Sequence, residues 1–222
     1  MERSDMSMEE GLHSETQARI IEAAGEIFSE SGYGHTTIRA ISERAGVNVA
    51  AVNYHFGGKK NLYMAVLNYW RAKAFEKYPF DASDLSAPPE ERLTAFIRVL
   101  LFRVLDEGEG SRFARLMAQE FIRPTDGLGL VVEEVIRPLF KFHLATVRQL
   151  LGEEADEQTV MLCCASVVGQ VFQFYVGRHV MRELLNRESL STQEIEAIAQ
   201  HIARFSLYGI KAIAKELGGK SR

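Results

Sequence analysis

The chain has 222 residues, of which 46% are hydrophobic and 25% charged, with 26 Lys and Arg against 30 Asp and Glu. That balance fits a folded globular protein of one or two domains and excludes collagen-like, mucin-like and wholly disordered classes. A net charge of −4 gives no general attraction to nucleic acid, so any such role has to come from a local patch.

Residues 1–13 are acid-rich and lack an apolar run, which argues against a signal peptide and for a disordered tail. A first helix opens at Ser14, where Gln17 completes a capping-box spacing. Ile20, Ile21, Ala24, Ile27 and Phe28 give it one apolar face, and Gly32 stops it. Thr36 or Thr37 caps a second helix carrying Ile38, Ile41 and Ala45, which ends at Gly46. A short third helix follows over 48–56, and a fourth runs from Lys59 through Leu62, Val66, Leu67, Trp70 and Phe75. Residues 79–87 read as a turn-rich linker, and Pro88 and Pro89 suit the start of the next helix. Further helices are expected over 88–107, 111–122, 127–151, 156–184 and 192–217, with Pro138 kinking or splitting the third of them. Hairpin turns and sustained period-2 alternation are missing, so the fold class is all-α.

The uncharged stretch 158–177 is long enough to cross a bilayer, but its Gln158, Thr159, Ser166, Gln170 and Gln173 would be costly there. A helix buried on several sides of a soluble protein fits it better. The adjacent Cys163 and Cys164 supply neither a spaced disulfide framework nor zinc-ligand spacing. They read as small core residues, with a redox role left open.

Residues 32–62 carry the function. Two short helices joined by a Gly-containing turn, with another behind, have the layout of a helix-turn-helix. The second helix must enter a major groove, so it needs small or polar residues outward. Val47, Val52 and Phe56 can pack inward, leaving Asn48, Ala50, Ala51, Asn53, Tyr54 and His55 for the groove and its walls. Between residues 37 and 60 the local charge is +3, from Arg39, Arg44, Lys59 and Lys60 against Glu43. Helix N-termini at Thr37 and near Lys59 add N–H donors for phosphates.

This stretch resembles the DNA-binding domain of the tetracycline-repressor (TetR/AcrR) family. Gly32, Tyr33, Thr36, Ile41, the Ala45-Gly46-Val47 turn, the Tyr54-His55-Phe56 run, Lys59 and Leu62 carry the resemblance. It implies phosphate contacts from Thr36, Arg39, Tyr54, His55 and Lys59, and base-edge positions for Asn48, Ala50, Ala51 and Asn53. Two positions depart from the family pattern: Ala40, where many members are acidic, and Asn53, where many are aromatic. The C-terminal half resembles, more loosely, a subgroup with its own type of ligand-binding domain, through 115–124 and Ile136-Arg137-Pro138-Leu139.

The resulting expectation is a tail over 1–13, a three-helix DNA-binding domain over 14–78, a linker over 79–87, and a helical ligand-binding and dimerisation domain over 88–222. An effector pocket needs apolar walls with a few polar groups, and Phe102, Phe113, Met117, Glu120, Phe121, His143, Gln170 and Phe174 are the candidates. Val167, Val171, Ile198, Ile202, Phe205 and Gly209 are expected at a two-fold interface built as a four-helix bundle. The partners are then double-stranded operator DNA, a second copy of the chain and a small, mostly apolar effector. Neither cofactor nor metal nor membrane is expected, and the location is cytoplasmic. Rival readings are an all-α enzyme, with Glu120 and His143 as an acid–base pair, and a ligand-independent DNA-coating protein. No nucleophile elbow, HExxH or phosphate-cradling Gly loop supports the enzyme.

Overall fold

The computed structural model describes residues 2–105, 110–125, 128–186 and 189–220. Its elements are α1 Glu2–His35, α2 Ile38–Ala45, α3 Val49–Phe56, α4 Lys59–Lys77, α5 Pro89–Leu105, α6 Gly110–Ile122, α7 Leu128–Val131, a π-helical turn Val132–Ile136, α8 Arg137–Leu151, α9 Glu157–Val176, α10 Arg178–Leu185 and α11 Thr192–Lys220. The described residues contain no strand, as the sequence predicts.

Three boundaries differ from expectation. The expected tail is helical from Glu2, so Ser14 lies inside α1; with no proline and several good helix formers, residues 2–13 give the helix no reason to stop. Gly32 interrupts α1 with a φ of 72° and ψ of 165°, but helical backbone resumes to His35. The helix expected over 156–184 breaks at Gly177, giving α9 and α10. Pro138 does split its stretch: the π-helical turn precedes it and α8 begins at Arg137.

Contacts divide the chain into two units, 1–74 with 108–131 and 75–107 with 132–222. This moves two pieces relative to the expected boundaries at 78 and 88. Residues 79–87 belong with the second unit, where Phe80 packs edge-on to Phe142 with centroids 4.9 Å apart. Arg103, buried in α5, stacks on Phe75 at 3.6 Å and donates through Nη2 to the Tyr78 carbonyl at 2.7 Å. Burial lowers its pKa to about 10, so the guanidinium stays charged at neutral pH. α6, expected in the C-terminal domain, joins the first unit instead.

In the first unit α1 packs against α2 and α6. Ile20, Ala24, Phe28, Ile41, Val52, Leu62, Val66, Trp70 and Leu116 are fully buried. α1 and α4 approach closely enough that a Cβ on Gly25 would lie 2.3 Å from the indole Nε1 of Trp70. Arg112 of α6 covers the same indole at 4.6 Å and pairs with Glu22 at 3.2 Å. In the second unit α5 packs on α8, α9 and α11 around Leu93, Ile97, Leu101, Val147, Val160 and Ile202.

Gly25→Val should therefore lower stability by about 2 kcal/mol, the range for overpacking a close-packed core. Urea denaturation followed by Trp70 fluorescence measures it; an unchanged midpoint would mean the indole is free to move aside.

Candidate nucleic-acid interface

α2 and α3 are eight residues each, too short to hold themselves in water. Their ends are accounted for. Thr37 has extended backbone and its Oγ1 accepts the Ala40 N–H at 3.1 Å. Asn48 does the same for α3, its Oδ1 accepting the Ala51 N–H at 2.7 Å. Gly46 closes α2 at a φ of 64°, a left-handed conformation that favours glycine, with the Val47 N–H on the Ser42 carbonyl at 2.9 Å. Arg19 of α1 donates to the Ala45 carbonyl at 2.6 Å and the Gly46 carbonyl at 3.2 Å, placing a cation at the negative end of the α2 dipole. Sequence reasoning missed Arg19, because nothing local to it signals a helix end 26 residues away.

This framework presents one side of α3 outward. Val52 is fully buried, Val47 and Phe56 are half-buried, and Asn48, Ala50, Asn53 and Tyr54 are exposed, Tyr54 at 75%. Ala51 and His55 are intermediate, with His55 against the edge of Tyr54 at 5.3 Å. Thr37 and Arg39 are exposed, and Arg39 pairs with Glu43 at 2.9 Å in an open surface contact of small energetic weight. Thr36 does not belong to this surface. Its side chain is buried and its hydroxyl donates to the Gly32 carbonyl at 2.7 Å, where it spans the break in α1. Asn48 has two uses to reconcile, since the oxygen that would read a base already caps α3.

Lys59, at the start of α4, lies over the Tyr33 ring at 4.4 Å and reaches the Gly34 carbonyl at 3.5 Å. Partial burial lowers its pKa. Tyr33 packs on Tyr63 at 4.9 Å and on Phe28 at 6.0 Å. Behind them the buried Glu120 carboxylate accepts the Tyr63 hydroxyl at 2.5 Å and the Thr125 N–H and hydroxyl at 3.0 and 2.6 Å. Burial and this anion raise the Tyr63 pKa, so the phenol stays protonated and donating.

The effector candidates divide between the units. Phe113, Met117, Glu120 and Phe121 are in the first; Phe113 and Glu120 are buried, Met117 is half-buried and Phe121 is exposed. Phe102, His143, Gln170 and Phe174 are in the second. Phe102 is buried against Tyr78 at 5.3 Å, and Phe174 lines a cavity of about 340 Å³. Gln170 donates to the Ser206 hydroxyl at 3.1 Å. His143 is buried, stacked on Phe96 at 4.4 Å, with Nε2 3.3 Å from the Cys164 carbonyl. Burial pulls its pKa down to about 4. Glu120 and His143 are thus each held by other groups rather than by one another. Cys163 and Cys164 are free thiols, buried and shifted upward by desolvation, Cys164 to about 12; thiolate chemistry is suppressed. Among the described residues no group of three or more His, Cys, Asp or Glu could hold a metal ion.

The expected dimer stripe is out of register with the surface. Val167, Val171 and Ile202 are buried within their own unit and Ile198 is half-buried, whereas Phe205 and Gly209 are exposed. α9 is also not covered on several sides. By length and composition it could cross a membrane, and it leaves Met161, Leu162, Val168, Phe172 and Val176 exposed.

Comparison with known proteins places these features. Residues 20–66 match the model for bacterial regulatory proteins of the tetR family, and residues 89–210 match that for the C-terminal domain of the HTH-type transcriptional dual regulator CecR. CecR of Shigella flexneri is 25% identical over 197 residues, covering 85% of this chain and 88% of the relative. The solved structure of FadR from Bacillus subtilis in complex with stearoyl-CoA is similar at a TM-score of 0.61 and 17% identity, covering 86% of this chain and 98% of that one. HlyIIR, a hemolysin II transcriptional regulator, is similar at a TM-score of 0.56 and 21% identity, covering 85% and 97%.

Two variants separate the uses of Asn48. Asn48→Ala should cost about 1 kcal/mol of stability through the lost cap, and Asn48→Ser should recover most of it; urea midpoints of the two measure this. The histidine predicts an acid slope. With its folded pKa below its unfolded value, near 6.5, neutral His143 contributes stability above that pH. The contribution is lost as the pH falls toward about 4, and His143→Phe should flatten that part of the urea-midpoint profile.

Proposed function

The chain belongs to the TetR family of DNA-binding transcriptional regulators, and from that premise we propose that it is a cytoplasmic homodimer that represses from a palindromic operator and is released by a small, mostly apolar effector. The observation that carries the DNA part is α3, capped at both ends and exposing Asn48, Ala50, Asn53 and Tyr54 inside a segment whose local charge is +3 in a chain of −4. Phosphates supply affinity and base edges supply selection. In this reading Thr37, Arg39, Tyr54, His55 and Lys59 grip the backbone, and Asn48, Ala50, Ala51 and Asn53 face the bases. Thr36 supports them from inside.

A single helix-turn-helix reads too few bases for selectivity, which favours a pair on a palindrome. The second copy would cover the apolar face of α9 together with Phe205, Tyr208 and Gly209 of α11, the two aromatic residues being 64% and 71% exposed. The proposed interface therefore keeps Phe205 and Gly209 and replaces the buried Val167, Val171 and Ile202 with Leu162, Val168 and Phe172. DNA would favour a separation of the two α3 helices near one helical turn, about 34 Å, and effector a different one. By linkage the two ligands weaken each other equally, typically by 1–3 kcal/mol. FadR, solved with stearoyl-CoA, supports a ligand-responsive regulator; CecR is described as a dual regulator, so a reporter assay has to include activation.

The test is a binding titration with duplexes from the DNA flanking the reading frame, against scrambled duplexes, at two salt concentrations. The parent should select a palindrome. Lys59→Ala should weaken binding across sequences and reduce the salt slope by about 1, and Phe205→Glu should yield a monomer that no longer selects the palindrome. Retention of parental affinity by a Tyr54→Ala, Lys59→Ala double variant would defeat the proposal.

A further inference from the structure

α9 and α10 meet at Gly177, and Asn186, left-handed at a φ of 49°, ends α10 one turn later than its last arginine. Between α10, the ends of α5 and α9 and the beginning of α11 lies the cavity of about 340 Å³. Leu105, Phe174, Met181 and Ile198 form its walls, and Arg178 and Arg182 stand on its lining from successive turns of α10. Volume and lining fall in the range of small-molecule sites, where apolar walls hold the body of a ligand and a few polar groups fix its head.

The guanidinium of Arg178 is held in place, donating through Nη1 to the Tyr175 carbonyl at 2.6 Å and stacked over the Tyr175 ring at 4.1 Å. The one acid among the described lining residues, Glu194, belongs to a capping box at the start of α11. Its Oε2 accepts the Ser191 N–H at 2.9 Å and the Ser191 hydroxyl at 2.8 Å. A guanidinium fixed at the edge of apolar walls, with a second on the same lining, suits the head and chain of an amphipathic anion.

We propose that this cleft binds an unbranched aliphatic carboxylate, with its head on Arg178 and Arg182 and its chain against Leu105, Phe174, Met181 and Ile198. Its role as the effector site rests on the regulator reading above; the binding itself does not. Of the eight effector candidates drawn from the sequence, Phe174 alone is on its lining.

Full-length protein is titrated calorimetrically with decanoate below micelle-forming concentrations, in parallel with decyl alcohol and decyltrimethylammonium. Decanoate should bind, with the alcohol at least tenfold weaker and the cation weaker still. The Arg178→Gln, Arg182→Gln double variant should lose about tenfold or more for decanoate and little for the alcohol, as expected for charge-assisted bonds. Ala197→Trp, placing an indole in the cleft, should abolish decanoate binding while circular dichroism shows a folded chain. Absence of decanoate binding by the parent, equal affinity for the three head groups, or undiminished binding by Ala197→Trp overturns the site. Anisotropy titrations of the same proteins on the selected palindrome read the regulator function separately. Loss of DNA binding by the unliganded parent would defeat that reading and leave the cleft standing. Decanoate that weakens palindrome binding supports the effector role, and decanoate that binds without changing it removes that role.

Discussion

The DNA-reading part of this protein depends on closing the ends of two eight-residue helices. Helices of that length do not persist alone, because the cost of nucleation is spread over too few hydrogen bonds, and their orphan N–H and C=O groups would otherwise have to face solvent or go unmet. Thr37, Gly46, Asn48 and Gly57 close the four ends from within the motif. Arg19, from α1, covers the carbonyls at the sharpest point, the turn between the two helices. The caps and the Arg19 contacts fix the ends of α2 and α3, and on that frame Asn53 and Tyr54 are exposed. A recognition surface made of side chains needs a backbone that does not yield when they are engaged.

Behind that frame a buried anion performs a second positioning task. Glu120 is almost fully enclosed, yet three donors meet its carboxylate; a buried charge is tolerable when it is hydrogen-bonded this completely. Through Tyr63 it fixes the aromatic group of Phe28, Tyr33 and Tyr63, and the face of Tyr33 carries the Lys59 ammonium. A lysine in open solvent spreads its charge over many rotamers. One resting on an aromatic face at a helix N-terminus presents it from a narrower set, at the cost of some desolvation.

The legible parts of the sequence were those with a local physical cause. The Gly46 turn, the cap at Thr37, the inward Val52 and the effect of Pro138 follow from conformational preferences acting within a few residues, and they stand where expected; the cap at Asn48 is as local but was read only as a groove residue. The parts that were not legible have non-local causes. Thr36 and Thr37 are chemically alike, and only the break at Gly32 decides that one hydroxyl turns inward. Arg19 and Gly25 take their roles from partners 26 and 45 residues away. α6 looked like part of the C-terminal half because it follows α5, but Arg112 and Glu120 bind it to α1 and α4. The break at Gly177 was hidden by the good helix formers that follow it.

α9 shows the same limit. Its buried stripe is Val160, Cys163, Cys164, Val167, Val171 and Tyr175, and its exposed stripe is Met161, Leu162, Val168, Phe172 and Val176. Both are apolar, so periodicity cannot distinguish them, and the expected interface fell on the stripe that the protomer uses for itself. An exposed apolar band of this length, extended by Phe205 and Tyr208 on α11, is more than scattered surface hydrophobes. Gln170 lies between the stripes and bonds to Ser206 across the same two helices, which ties their register within one copy. On the dimer reading, a shift of α9 against α11 would therefore be felt in the packing between copies. The cleft at the α10 end touches both helices, through Phe174 on one side and Ile198 on the other. On the proposed function, a ligand held there would bear on the α9–α11 pair.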